Sequence, residues 1–308
     1  MATKIILDTD PGHDDAIALL LALASPELEL LGVTTVSGNQ TLEKTTANAL
    51  KILELACRTN VPVHAGAARP LVREQWAAAY VHGESGLDGP DLPHPETEVA
   101  GRDAVGFLAR TLEENEGVVL VPVGPLTNIG LLLAMHPGIE PRIGRIVVMG
   151  GAIAEGNVTP AAEFNIWADP EAAHRVFTSG VDVAMIGLDV THRALLLPEH
   201  AERLRAAGRV GEVVAQLYDF YHGHHARMYG WEGSPVHDAL AVAHVIRDDF
   251  VTTKHRHVLV DTGPDPGRGR TYVDLWERTG NEPNAHVGVD VDGPGFIEFL
   301  VSRLSTYS

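Results

Sequence analysis

Short apolar runs alternate with stretches of helical spacing along nearly the whole chain. Ile5-Ile6-Leu7 reads as a strand that ends at Asp8, and residues 14–24 follow with Ile17, Leu20 and Leu21 three and four apart, the spacing of one helix face. Residues 28–36 then read as a strand and 41–57 as a helix, so the opening is βαβα. The alternation continues with apolar strands at 61–65, 118–123, 146–149 and 183–186, separated by helical stretches at 103–114, 126–135 and 170–178. Helices over 213–228 and 235–246 come next, then strand-like segments near 256–260, 271–275 and 285–291. Strands alternating with helices predict an α/β fold with a mainly parallel central sheet flanked by helices, Rossmann-like in architecture. No internal repeat or low-complexity linker divides the chain, which predicts one domain over 1–308.

In such sheets ligands bind beyond the carboxyl ends of the strands. Polar residues collect there: Asp10, Gly38-Asn39, Gly124, and Gly150-Gly151 leading to Asn157. Residues 66–101, rich in Gly, Pro, Glu and His, exceed the usual length of a connection and are expected to form part of the site's wall. The densest chemistry lies at the first strand end, where Asp8, Asp10, Asp14 and Asp15 fall within one Pro-Gly turn. Carboxylates crowded in this way repel strongly once desolvated, so a cation or a network of donors must neutralise them. Asp10 and Asp15 bracket the turn and are able to face one point, while Asp8 is free to anchor loop backbone. Asp238 is the best third acid, since Ser234 and Pro235 resemble a helix cap and first residue and place it in a first turn. Oxygen ligands select Ca²⁺ or Mg²⁺, and an irregular set drawn from distant segments favours Ca²⁺.

Composition narrows the partners. The 308 residues are 45% hydrophobic and 21% charged, with a net charge of -18, which repels nucleic acid and anionic membrane surfaces. No apolar stretch approaches the about 20 residues of a membrane span, and the first strand begins too early for a signal peptide, so the expected location is the cytoplasm. Cys57, the single cysteine, lies in an apolar helical pattern and is expected to be a small buried residue. HExxH, CxxC, Walker, GxSxG and GxGxxG patterns are absent, which leaves an oxygen-bound metal and water as the available chemistry. His222, His224 and His225 are expected on an exposed helix face, while Phe164, Tyr229 and Trp231 are candidates for stacking on a flat ring.

The segments Asp8-Thr9-Asp10-Pro11-Gly12-His13-Asp14-Asp15-Ala16, Gly38-Asn39, Val121 to Asn128, Met149-Gly150-Gly151, Glu163-Phe164-Asn165 and Val236-His237-Asp238 together resemble the inosine-uridine preferring nucleoside hydrolase family, in order and across nearly the whole chain. The resemblance implies hydrolysis of the N-glycosidic bond of ribonucleosides to ribose and free base on a calcium ion, with broad or pyrimidine-leaning specificity and a place in nucleoside salvage. It implies Asp10, Asp15, Asp238 and the backbone carbonyl of Val123 as metal ligands, Asp10 also as general base, and His237 as the donor to the leaving base. It implies Asp14, Asn39, Asn157, Glu163 and Asn165 as ligands of the ribose or the catalytic water, with His82 facing the base. Homodimers or homotetramers are the expected assemblies. Two alternatives stay open: a riboside binder that keeps the metal site without turnover, and a hydrolase of a modified riboside.

Overall fold

Eight strands build the central sheet of the computed structural model, which describes residues 2–307. The chain runs β1 (Thr3–Thr9), α1 (His13–Ala24), β2 (Leu28–Thr35), α2 (Leu42–Leu55), β3 (Val63–Ala65), α3 (Ala79–His82), α4 (Ala104–Glu114), β4 (Val118–Pro122), α5 (Thr127–Met135) and β5 (Ile143–Met149). It continues through α6 (Phe164–Ala168), α7 (Pro170–Phe177), β6 (Val183–Ile186), α8 (Leu188–Thr191), β7 (Leu195–Leu196), α9 (Pro198–Arg205), α10 (Arg209–Tyr229), β8 (Ser234–Pro235) and α11 (His237–Ile246). It closes with β9 (Val251–Arg256), β10 (Val258–Val260), β11 (Thr271–Val273), β12 (Ala285–Val291) and α12 (Gly293–Leu304).

The sheet order is β3-β2-β1-β4-β5-β6-β12-β9. Neighbours from β3 to β12 are parallel, and β9 closes the edge antiparallel to β12. Successive connections step outward from β1 in one direction and then, beginning with β4, in the other. This reversal opens a crevice beyond the carboxyl ends of β1 and β4, where ligands of open α/β sheets bind. Alternate residues of β1 face opposite layers: Ile5 and Leu7 join the core that holds α1, α2, α10, α11 and α12, whereas Ile6 joins the core with α4, α5 and α7. Among the described residues no helix is long and apolar enough to cross a membrane.

Several expectations are corrected here. Cys57 is exposed, because α2 ends at Leu55 and the chain leaves it through a residue with φ 54 rather than continuing the helix. Ser234 and Pro235 pair with β7 as a short strand, so the last helix before β9 is capped at Val236, two residues later than expected. The apolar spacing also did not reveal α9, β9 or α12. In α12 the Gly293-Pro294-Gly295 run resembles a turn, yet the Asp292 carboxylate accepts from the Gly295 N–H at 3.0 Å and Pro294 suits a first helical turn.

Behind the crevice, Asn128 in the first turn of α5 ties three segments together. Its Nδ2 donates to Asp8 Oδ1 at 2.7 Å and to the Thr35 carbonyl at 3.0 Å, while its Oδ1 accepts from the Ala67 N–H at 2.9 Å. Asp8 also accepts from the Thr34 hydroxyl at 2.5 Å, so side chains rather than loop backbone hold it. Burial pushes the Asp8 carboxyl up to about 7 against these two bonds. Removing Asn128 therefore leaves buried acceptors unmet. Asn128→Ala is expected to cost about 3 kcal/mol of stability, read from the urea midpoint; an unchanged midpoint would show that this junction contributes nothing.

Candidate active site

At the amino end of α1 the chain turns so tightly that backbone donors converge on Asp15. Its Oδ2 accepts from the Gly12 N–H at 2.9 Å and from Asn39 Nδ2 at 3.0 Å; its Oδ1 accepts from the Thr9 hydroxyl at 2.6 Å and the Asp10 N–H at 3.2 Å. Asp14 shares this first helical turn, and α11 brings in Asp238 as its second residue. Carboxylate oxygens of Asp14, Asp15 and Asp238 all lie within 4.8 Å of one another, an arrangement able to hold a metal ion. Asp10 is fully buried beside them, with Oδ2 accepting from the Asn39 N–H at 2.6 Å and Oδ1 without a hydrogen-bond partner among the described residues. Gly38 and Gly124 press against this carboxylate so closely that a Cβ at either would collide with it.

Burial raises the pKa of Asp10, Asp14 and Asp238 well above the usual carboxylate range. Neighbouring carboxylates add to the effect, Asp15 most for Asp10 and Asp14, and Asp14 most for Asp238. Asp15 is also raised by burial, against the donors that surround it. Four carboxylates that resist ionisation together, one with an orphaned oxygen, match a hard cation with oxygen ligands.

Above the acids lies a cavity of about 710 Å³ counted to its open mouth, with Asp14, Asn39, Val123 and Asp238 on its lining. Asn157 and Glu163 line it from the loop after β5, and Phe164 and Asn165 from the first turn of α6. Glu163 caps α6: Oε1 accepts from the Asn165 N–H at 2.8 Å, and Oε2 from the Gly151 and Ile166 N–H groups at 2.9 and 3.2 Å. Burial pushes its carboxyl up to about 7 despite these bonds. Asn165 Nδ2 donates to the Val123 carbonyl at 2.8 Å and to that of Met149 at 3.1 Å, holding the ends of β4 and β5 in place. Asn157 accepts from the Phe164 N–H at 2.9 Å.

The far wall is aromatic. Tyr221, His224, His225 and Tyr229 lie along the inner face of α10 at spacings of three, four and eight, and all line the cavity with Trp231. His224 and His225 are thus not on a solvent face as expected; His225 is 5% exposed, and burial pushes its imidazole down to about 4. Reading spacings of three and four from Tyr221, instead of neighbouring histidines, would have found this face. His222 points elsewhere, with Nδ1 3.2 Å from Ser234 Oγ. Trp231 stacks on His225 and Tyr229, with ring centroids 5.6 and 4.7 Å apart. Residues 66–101 contribute Ala78, Tyr80, Val81 and His82, and His82 Nδ1 accepts from the His13 N–H at 3.2 Å. His237 starts α11 beside Asp238, its Nδ1 2.7 Å from Thr191 Oγ1. Burial keeps both His82 and His237 well below the ordinary histidine pKa. Sequence reasoning named neither Thr191 nor His192, which line up behind and beside His237 only through the placement of α8.

The pattern of the family described as inosine-uridine preferring nucleoside hydrolase matches residues 5–298. The chain belongs to this nucleoside hydrolase family. It is 51% identical over 311 residues to the pyrimidine-specific ribonucleoside hydrolase RihA of Escherichia coli O9:H4, covering 100% of both proteins. Among solved structures, it resembles a purine-preferring ribonucleoside hydrolase from Gardnerella vaginalis, with 35% identity, a TM-score of 0.94 and 99% of each chain covered. A plant nucleoside hydrolase, PpNRh1, matches at 32% identity with a TM-score of 0.92 over 99% of each chain. This nucleoside hydrolase is accordingly an enzyme that splits ribonucleosides into ribose and free base.

A cation that neutralises the acid cluster gives a sign reversal that can be measured. In chelator, Asp238→Asn removes repulsion and should raise the melting temperature; with the cation present, wild type should gain the larger increase, because binding to the folded state stabilises by about 2.7 kcal/mol at a hundredfold excess over Kd. Melting temperatures indifferent to both chelator and substitution would rule out a cation at the cluster.

Proposed function

We propose a calcium-dependent hydrolase of ribonucleosides with preference for pyrimidine bases, its chemistry centred on Asp10, Asp14, Asp15 and Asp238. The observation that carries this reading is the convergence of the Asp14, Asp15 and Asp238 carboxylates within 4.8 Å of one another, with Asp14 and Asp238 lining a cavity whose opposite wall is aromatic. Asp10, Asp15, Asp238 and the carbonyl of Val123 would hold the ion, and the irregular oxygen set suits Ca²⁺ better than Mg²⁺. Such an ion would offset the carboxylate charge and supply Lewis acidity that makes a water more acidic. The preference for uracil and cytosine rests on the 51% identity to pyrimidine-specific relatives.

The reaction breaks the bond from C1′ to the base nitrogen and forms one from C1′ to a water oxygen. Asp10 Oδ1 has no hydrogen-bond partner among the described residues, which fits a base taking the proton of the attacking water. Asp14 lines the cavity and is suited to a ribose hydroxyl, as are Asn39, Asn157, Glu163 and Asn165; such bonds strengthen as positive charge develops on the sugar. Phe164, Tyr229 and Trp231 supply flat surfaces for the base, and His82 faces it from the 66–101 segment. His237, held neutral by burial, serves as a hydrogen-bond donor to the departing base rather than as an imidazolium. The setting that suits such an enzyme is nucleoside salvage in the cytoplasm, as a homodimer or homotetramer.

Release of ribose from uridine, cytidine, inosine, adenosine and guanosine, with chelator and after restoring Ca²⁺ or Mg²⁺, tests the reading. Turnover should be fastest with uridine or cytidine and return with Ca²⁺; faster purine turnover would overturn the base preference, and restoration by Mg²⁺ alone the choice of ion. Asp10→Asn should lower kcat about 10²- to 10⁴-fold, and a loss under tenfold would remove Asp10 as the base.

A further inference from the structure

His237 can serve a departing base only if the ring nitrogen facing the cavity carries a proton, and a neutral imidazole has one proton for two nitrogens. Thr191 decides which nitrogen has it. The Thr191 hydroxyl is wholly buried at the end of α8 and lies 2.7 Å from His237 Nδ1, its sole hydrogen-bond partner among the described residues. A hydroxyl has one proton, and a buried donor without an acceptor is costly. The Thr191 hydroxyl must therefore donate, because no other acceptor reaches it, and Nδ1 must accept. The proton of the neutral ring is then left on Nε2, which has no hydrogen-bond partner among the described residues, while His237 lines the cavity.

We propose that Thr191 is a positioning residue for N-glycosidic cleavage: its hydroxyl donates to His237 Nδ1 and thereby holds the Nε2–H tautomer toward the leaving base. Thr191 touches neither substrate nor reacting atoms; it acts through His237. The backbone supports this geometry, since the Thr191 N–H is bonded to the Gly187 carbonyl at 3.2 Å in the short helix that follows β6, and His237 is fixed as the first residue of α11. The role rests on the reading of His237 as donor to the base.

Thr191→Val keeps shape and removes the proton donor, whereas Thr191→Ser keeps the donor. Nitrogen-15 NMR of the ring should show the Nε2–H tautomer in wild type and Thr191→Ser, and its loss in Thr191→Val; an Nδ1–H tautomer in wild type would overturn the proposal even if no variant folds. With uridine, Thr191→Val should lower kcat about 10- to 100-fold, with KM little changed, and Thr191→Ser should restore it. With p-nitrophenyl riboside, whose leaving group needs no donor, the same variant should lose less than about threefold. Equal losses on both substrates would mark Thr191 as merely structural. His237→Ala separates the two layers: a loss confined to uridine upholds the donor reading, so an unselective Thr191→Val then overturns Thr191 alone. An unselective His237→Ala overturns the donor reading, while the NMR result still decides the tautomer.

Discussion

The mutual repulsion of Asp10, Asp14, Asp15 and Asp238 is the constraint around which the surrounding structure is arranged. All four are buried, at 5% exposure or less, and burial raises the pKa of each. At an effective dielectric near 20, two charges 4 Å apart repel by about 4 kcal/mol, more than any single hydrogen bond in the site returns. The fold meets part of this cost with donors: Thr9, Gly12, Asn39 and the backbone of Asp10 all serve Asp15, and the amino end of α1 points its free N–H groups at the cluster. Those donors leave Asp10 Oδ1 unserved. The remaining deficit is positive charge, which the proposed calcium ion supplies.

The reversal of strand order at β1 and β4 opens the crevice into which α1 and α11 bring the acids. The two strand ends part there, so the turn carrying Asp10 and the carbonyl of Val123 share one crevice. Small residues make the approach feasible, since Gly38 and Gly124 admit the Asp10 carboxylate where any side chain would collide. Asn165 and Asn128 act as struts, one across the ends of β4 and β5, the other across β1, β2 and the loop behind them.

The sheet and the aspartate-rich turn were legible in the sequence because each rests on local signals, apolar runs of strand length and a Pro-Gly turn, but the close cluster takes in Asp14 with Asp15 and Asp238 where the sequence pointed to Asp10. The aromatic wall was harder to read. Tyr221, His224 and His225 look like a solvated face until α10 is known to pass along the cavity, and then their spacing makes sense. Thr191 carries no signal at all in the chain, since its significance comes from a single 2.7 Å contact made across α8 and α11. Cys57 shows the same limit in reverse: an apolar pattern continued past a helix end that backbone geometry had already fixed at Leu55. Charge clusters announce themselves, whereas walls built from distant helices do not.

The dependence of the site on one cation is tested most directly by equilibrium dialysis of the chelated protein against radiolabelled calcium, counting ions bound per chain in wild type and in Asp15→Asn. One ion per wild-type chain, lost in the variant, is the predicted result. No saturable binding, or binding indifferent to Asp15, would contradict a cation-organised site and leave the buried carboxylates to be satisfied by protons alone.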